Sequence, residues 1–518
     1  MAVHLPSPAD PPFPRTAPSH DTFAPDTFAP ATSPHHTSPA TTLPRRTVLR
    51  AAAAAGGGAL LLGACGTRKD APRRATGDPW RQFAGTTLNF ISENTAPTAA
   101  IAADLRPFTR LTGIRVNIVT LELSALVQKV ALDLASGEAQ YQVIYADPYQ
   151  VLAPYSKGLV ELRELAADPS LPPLPGGFGD FIPTQLDAAG RFAASDKVFA
   201  LPYDCPTMIW QYRRDLFDKY HDRMAADLGF DPTPGDDSTW EQYYAIAKWF
   251  TDNVDDVPYG TGHQAKQHDS LMNDFSNVLW AHGGSYFDDD PAVGRLGTVD
   301  PGPCRLDADA AVTAAEFYRR LLAVADPASR TWDWDGVGAA FRAGRLAMCP
   351  NWHEFAASNE EVMPGKVGYA PLPKGPARRA GMYGGTGIAI SANTLPNERR
   401  AAWLFLLWAT SPDTQLRGLA SKVGGGTPTR RSVYERPDVK AAARRPSPMP
   451  NLLTTDAVER TWRTENIGLR PKIPMWNECD TAIYTEVSRM LAGDASPAEA
   501  MRSARRRFDR IIARGWAA

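Results

Sequence analysis

Cysteine is scarce in this chain, with five among 518 residues. No Cys-x-x-Cys and no His-x-x-x-His spacing occurs, which argues against a structural zinc site. Neither sign of charge is in surplus: 55 basic against 57 acidic side chains leave a net charge of −2. There is no basic stripe and no run of lysines, so nothing calls for a nucleic acid or another polyanion. Beyond residue 65 no apolar stretch nears the ~20 residues of a membrane-spanning helix. Even Ala401-Ala402-Trp403-Leu404-Phe405-Leu406-Leu407-Trp408 is only a short helix core. Catalytic signatures are missing too. No Gly-x-Ser-x-Gly occurs, and His353-Glu354 begins a His-Glu-x-x-His motif that fails at Ala357. Asp333-Trp334-Asp335-Gly336 lacks the later ligands of a calcium loop.

What is present starts with two addresses. Arg45-Arg46-Thr47-Val48-Leu49-Arg50 precedes an apolar Ala/Gly-rich core and then Leu62-Gly63-Ala64-Cys65. A twin arginine before an apolar core is an export signal. Leu-Gly-Ala-Cys is a lipoprotein processing site, at which the cysteine becomes the lipid-carrying first residue. Residues 1–64 are therefore expected to be a disordered leader plus a twin-arginine lipoprotein signal. Eleven of the 46 prolines lie in 1–44, with the repeat Asp21-Thr22-Phe23-Ala24-Pro25/Asp26-Thr27-Phe28-Ala29-Pro30, which reads as low complexity. The body is expected outside the cell membrane, held by lipid on Cys65. Cys205, Cys304, Cys349 and Cys479 remain, and four cysteines can pair in three ways.

Residues 65–85 read as a tether. Then strand and helix patterns alternate: strands at 87–91, 114–119 and 141–145, a helix over 98–111 that Pro107 should kink, and a helix over 124–135. A βαβαβ run implies a parallel sheet with helices on its faces. Ligands of such sheets sit beyond the carboxyl ends of the strands. That rule singles out Glu93 and Asn94 after the first strand and Asp147 after the third. A second α/β lobe starts near 205, with helices at 239–251, 271–281 and 307–325. Residues 388–390 and 398–409 return to the first lobe, and helices over 477–491 and 497–513 close the chain. The expected division is 86–204 plus 369–420 for lobe one and 205–368 plus 421–518 for lobe two.

Several segments together resemble the solute-binding proteins of bacterial ABC importers, in the large extracellular family that takes sugars and polyols (family 1 type). They are Phe108–Val116, Tyr141–Asp147, Leu201-Pro202-Tyr203-Asp204 with Gln211–Phe217, Gly283–Phe287, Phe341–Met348 and Gly384–Ser391. The resemblance implies an α/β, two-lobe periplasmic-binding-protein-like fold with a ligand cleft between the lobes. It also implies a monomer without cofactor or catalysis, which closes on a carbohydrate and hands it to an ABC permease. Sugar rings offer apolar faces to aromatics and hydroxyls to carboxylates and amides. On that basis Trp352 is expected to stack on the sugar and Asp147 to bond its hydroxyls. Asp204 reaches in from the crossover, Tyr383 and Gly385 lie on the return to lobe one, and Trp476 and Glu478 enter from lobe two. Trp210 and Trp280 read as core. Cys205-Pro206 departs from the family's polar residue after the crossover proline. The rival readings are a cationic solute such as a polyamine, held by Asp147, Asp204 and Glu478, and a secreted glycoside hydrolase.

Overall fold

Residues 98–111, expected as one kinked helix, form two, Ala96–Ala103 and Leu105–Thr112. Pro107 has no N–H to offer the carbonyl four residues back and its ring would clash with it, so the break falls at Asp104. The computed structural model describes residues 77–515, apart from 195, 289–293, 422, 424 and 443–448. The twin arginine, Cys65 and most of the expected tether lie outside the described residues.

Eleven strands are described: β1 (Thr87–Glu93), β2 (Arg115–Leu121), β3 (Val143–Ala146), β4 (Ala200–Asp204), β5 (Met208–Arg213), β6 (Tyr259–Thr261), β7 (Leu346–Trp352), β8 (Val367–Ala370), β9 (Gly381–Met382), β10 (Thr386–Ile390) and β11 (Ile467–Gly468). The first sheet has the order β2-β1-β3-β10-β4. β1 is parallel to β2 and β3, whereas β10 is antiparallel to β3 and β4. The start of β10 therefore lies at the same sheet edge as the ends of β1, β3 and β4. The second sheet has the order β6-β7-β5-β8. There the end of β7 meets the start of β5, with Trp352 opposite Met208.

Each sheet has its own core. In lobe one the helix Pro396–Ala409 buries every residue from 401 to 409. Phe405 lies 5.7 Å from Phe90 and 5.3 Å from Phe108, ring centre to ring centre. Burying a side chain of this size contributes about 1.5–3 kcal/mol. In lobe two the helix Asp269–Ala281 is buried all round despite its polar residues. Two of those residues are matched within the lobe: Asp274 accepts from the Tyr318 hydroxyl at 3.0 Å and contacts His263 Nδ1 at 2.8 Å, and Asn277 accepts from Met382 N at 2.7 Å. Matched in this way, buried polar groups avoid the desolvation cost of an unmade bond. Capping boxes form at Thr239/Gln242 and Ser496/Glu499. Cys205, Cys304, Cys349 and Cys479 are buried free thiols.

The chain enters lobe two between β4 and β5 and returns between β8 and β10. The second departure comes later than residue 421. Thr429 bonds Ile182 N and the Pro202 carbonyl, and Ser432 bonds Asp180, so this stretch packs on lobe one. Beyond residue 450 the chain runs back toward lobe two, where β11 pairs with β9. On that last crossing Lys472 is fully buried and donates to the carbonyls of Asp187, Ala188 and Arg191.

Candidate functional site: a cavity between the two sheets

The edge that collects the ends of β1 and β3 and the start of β10 faces the end of β7 across a cavity of about 860 Å³. From lobe one, Glu93 and Asn94 come from the end of β1, Tyr145 and Asp147 from β3, and Gly384 to Thr386 from the entry to β10. From lobe two, Trp352 closes β7 and leads into Glu354 and Phe355. Asp269 with Asn273, and Trp334 with Asp335, stand in the opening turns of two helices. Arg470 reaches the cavity from the last crossing.

The geometry gives each group a distinct task. Asp147 spends one oxygen as a helix cap, accepting from Tyr149 N at 2.8 Å and Gln150 N at 2.7 Å. Its other oxygen meets Arg470 at 3.3 Å. Arg470 also lies 3.7 Å from Asp269 and stacks over the Tyr149 ring at 4.1 Å. Gln150 donates to Asp269 at 3.0 Å, so lobe one, lobe two and the crossing meet in one ionic cluster. Burial pushes Asp147 up against the opposing pull of Arg470. Burial also pushes Asp480, next to Asp269, well up.

Glu93 is nine-tenths buried. Burial raises it to about 8; the Tyr145 hydroxyl opposes the rise, and the charges of Asp147, Asp269 and Asp335 add to it. At neutral pH it is chiefly protonated, both donor and acceptor toward a hydroxyl. Burial raises both Asp204 and Glu354; the contact between them opposes the rise at Asp204 and adds to it at Glu354. Trp352 exposes 8% of its surface, keeps its back in the lobe-two core, and has its carbonyl held by Gln211 at 2.7 Å.

Of the residues singled out in the sequence, Glu93, Asn94, Asp147, Trp352 and Gly385 line the cavity. Four do not. Asp204 is 1% exposed behind Glu354 and accepts from Thr427 N at 2.6 Å. Tyr383 is buried beneath the wall, where a Cβ on Gly385 would fall 2.4 Å from its ring. Gly385, at φ +67°, thus leaves room for the tyrosine and presents only backbone to the cavity. Trp476 is fully buried in lobe two, 5.3 Å from Tyr286 and 6.4 Å from Phe508. Glu478 is exposed and pairs with Arg514 at 2.5 Å. The helix Trp476–Ala492 explains both: its inward face carries residues 476, 479, 483 and 487, which turns 478 outward. Trp210 and Trp280 are core.

Tyr145, Asp269, Trp334, Asp335, Glu354, Phe355 and Arg470 were missed as site residues. Trp334, Asp335 and Glu354 stood in motifs weighed only for metal chemistry. Among the described residues no cluster of side chains suits a metal ion. Arg470 carries no local signal, since an arginine between Gly468 and Pro471 reads as a solvated loop residue.

Two α/β lobes crossed repeatedly by the chain, with a lined cavity between them, define a solute-binding architecture. The profile described as bacterial extracellular solute-binding protein matches residues 105–447, and the chain belongs to that family. It is 25% identical over 451 residues to the "Probable amino-acid ABC transporter periplasmic-binding protein y4oP" of Sinorhizobium fredii, covering 85% of this chain and 92% of that one. It is 23% identical over 427 residues to the erythritol/L-threitol-binding protein of Mycolicibacterium smegmatis, covering 77% and 84%. Maltose-bound MalE3 of T. maritima superposes with a TM-score of 0.67 at 23% identity, covering 82% of this chain and 99% of the other. The fold is thus the two-lobe periplasmic-binding-protein fold. Among the described residues no helix is long and apolar enough to cross a membrane.

Proposed function

We propose that this chain is the substrate-binding component of an ABC importer, capturing a carbohydrate (a sugar, oligosaccharide or polyol) and delivering it to a membrane permease without chemical change. The carrying observation is the cavity's composition. The indoles of Trp352 and Trp334 offer apolar faces, and Glu93, Asn94 and Asn273 offer hydrogen bonds from the opposite lobe and the facing helix. A relative named for erythritol and threitol and a like-folded protein holding maltose support the reading. An amino acid, as in the first relative's name, needs a cation for its carboxylate. Arg470, the only lysine or arginine lining the cavity among the described residues, is already paired with Asp147 and Asp269.

Calorimetry against a panel of sugars, polyols and amino acids tests this, with small-angle scattering at saturation. At least one carbohydrate should bind and shrink the radius of gyration. Binding by amino acids alone would end the carbohydrate reading, and turnover of a chromogenic glycoside would revive the enzyme. The same proposal places the mature chain on the outer face of the cell membrane, exported through Arg45-Arg46 and anchored through Cys65. Cys65→Ala should release the body into the medium; retention in the membrane fraction would count against the anchor.

A further inference from the structure

The carbohydrate reading can be narrowed by the balance of charge inside the cavity. Among the described residues, seven carboxyl side chains line it, against the single guanidinium of Arg470. That guanidinium is committed to Asp147 and Asp269. The other five, Glu93, Asp335, Glu354, Glu360 and Glu361, form no ion pair with any described residue. Two of them are also drawn out of water. Glu93 is nine-tenths buried yet lines the cavity, and Glu354 Oε1 is buried without a hydrogen-bond partner. The chain as a whole is almost neutral, so so many carboxyls around one space are not a reflection of its average composition.

We infer that the solute is a basic carbohydrate: a polyhydroxylated ring or chain that carries a protonated amine, with the ammonium held by Glu93 together with Asp335 and Glu354. The inference rests on the carbohydrate reading and adds the charge. Hydroxyls and C–H faces meet Trp352, Trp334 and the amides. The ammonium gains charge-assisted bonds that a hydroxyl cannot make, and the aromatic faces of the site add cation–π attraction. The groups acting on Glu93 come from every side of the cavity: Tyr145 and Asp147 from β3, Asp269 and Asp335 from two lobe-two helices, and Glu354 from the turn after β7. All but the tyrosine are carboxyls. In the empty site this crowding, with burial, holds a proton on Glu93 up to about pH 8. A cation bound beside it reverses the balance, so amine binding at neutral pH must release a proton, and affinity for the amine must rise as pH climbs from about 6 to 8 by up to about tenfold per unit.

The test is calorimetry with two matched pairs, sorbitol against 1-amino-1-deoxysorbitol and maltitol against 1-amino-1-deoxymaltitol, with spermidine as a charge-only control. Titrations run in buffers of different ionisation heat. In at least one pair the amine is expected to bind about tenfold or more tighter than the alcohol and to release a proton. Glu93→Gln should bring that ratio toward one. Asp335→Asn, at a less buried position, should do so in part and serves if the first variant folds poorly. Equal or tighter binding of the neutral member in both pairs overturns the basic sugar and leaves carbohydrate binding standing. Binding by no sugar, or by spermidine alone, overturns both. A ratio that survives in both variants overturns the assignment to these carboxyls.

Discussion

Arg470→Ala should lower stability by about 3–5 kcal/mol. The guanidinium is buried between Asp147 and Asp269, each from a different lobe, with the Tyr149 ring against its face. Truncation leaves two buried carboxylates without their cation. An unpaired buried charge costs about this much, although the intact pair contributes far less net stability. At about 2 °C per kcal/mol for domains of this size, melting should fall by roughly 6–10 °C. The sign of the pH effect identifies the cause. Burial already raises Asp147 with the arginine in place, and without it the rise is larger. A carboxyl raised in the folded state costs nothing while both folded and unfolded forms are protonated, and it costs progressively more as pH rises through its folded value. The variant's deficit should therefore shrink as pH falls toward the ordinary carboxylate range. A deficit that is independent of pH would point to lost packing. A melting temperature within a degree or two of the parent would show that the cluster does not hold the lobes.

Trp352→Ala should weaken carbohydrate binding by roughly thirty- to a hundredfold. A stacked indole and a sugar face hide about 80–120 Å² from water, worth about 2–3 kcal/mol at 25 cal/mol per Å². The same ring exposes only 8% of its surface, with its back against the lobe-two core. The alanine variant must then lose stability as well, up to about 3–5 kcal/mol if the site does not collapse. Affinity is accordingly read on protein shown to be folded. Trp352→Phe should recover part of both quantities, because a smaller ring still fills the core and still stacks. A folded alanine variant that binds within about threefold of the parent would mean that the indole serves the core alone.

The parts of the site legible in sequence share one property. Glu93, Asn94 and Asp147 stand at the ends of strands whose alternation with helices is plain, and the rule for parallel sheets points to strand ends. Trp352 stands out through the resemblance of its neighbourhood, and it is the last residue of β7. The missed residues lie where local pattern misleads. Asp269 and Asp335 open helices, where an acidic residue is routine for the dipole. Arg470 and Lys472 are fully buried cations in an irregular crossing, and sequence statistics place such residues in solvent. Helix phase decides Trp476 and Glu478: the segment resembles an entry into the cleft, and the helix beginning there turns 476 into the core and 478 to the surface. The late departure from lobe one, carried by Thr429 and Ser432, depends on contacts with residues some 250 positions earlier, which no window of sequence reports.

The strand order of the first sheet also bears on how the chain is born. β10 stands between β3 and β4, so these two strands have no direct hydrogen bonds to each other. During synthesis the lobe that begins first cannot be completed until all of β5 to β8 has emerged. Until then β3 and β4 each present an open edge, the kind of surface that invites wrong pairing. Closing that sheet late, over a long intervening chain, makes it the slow step of folding. Lobe two is completed later still, because its core takes in Trp476, Ile483 and Phe508 from the two closing helices.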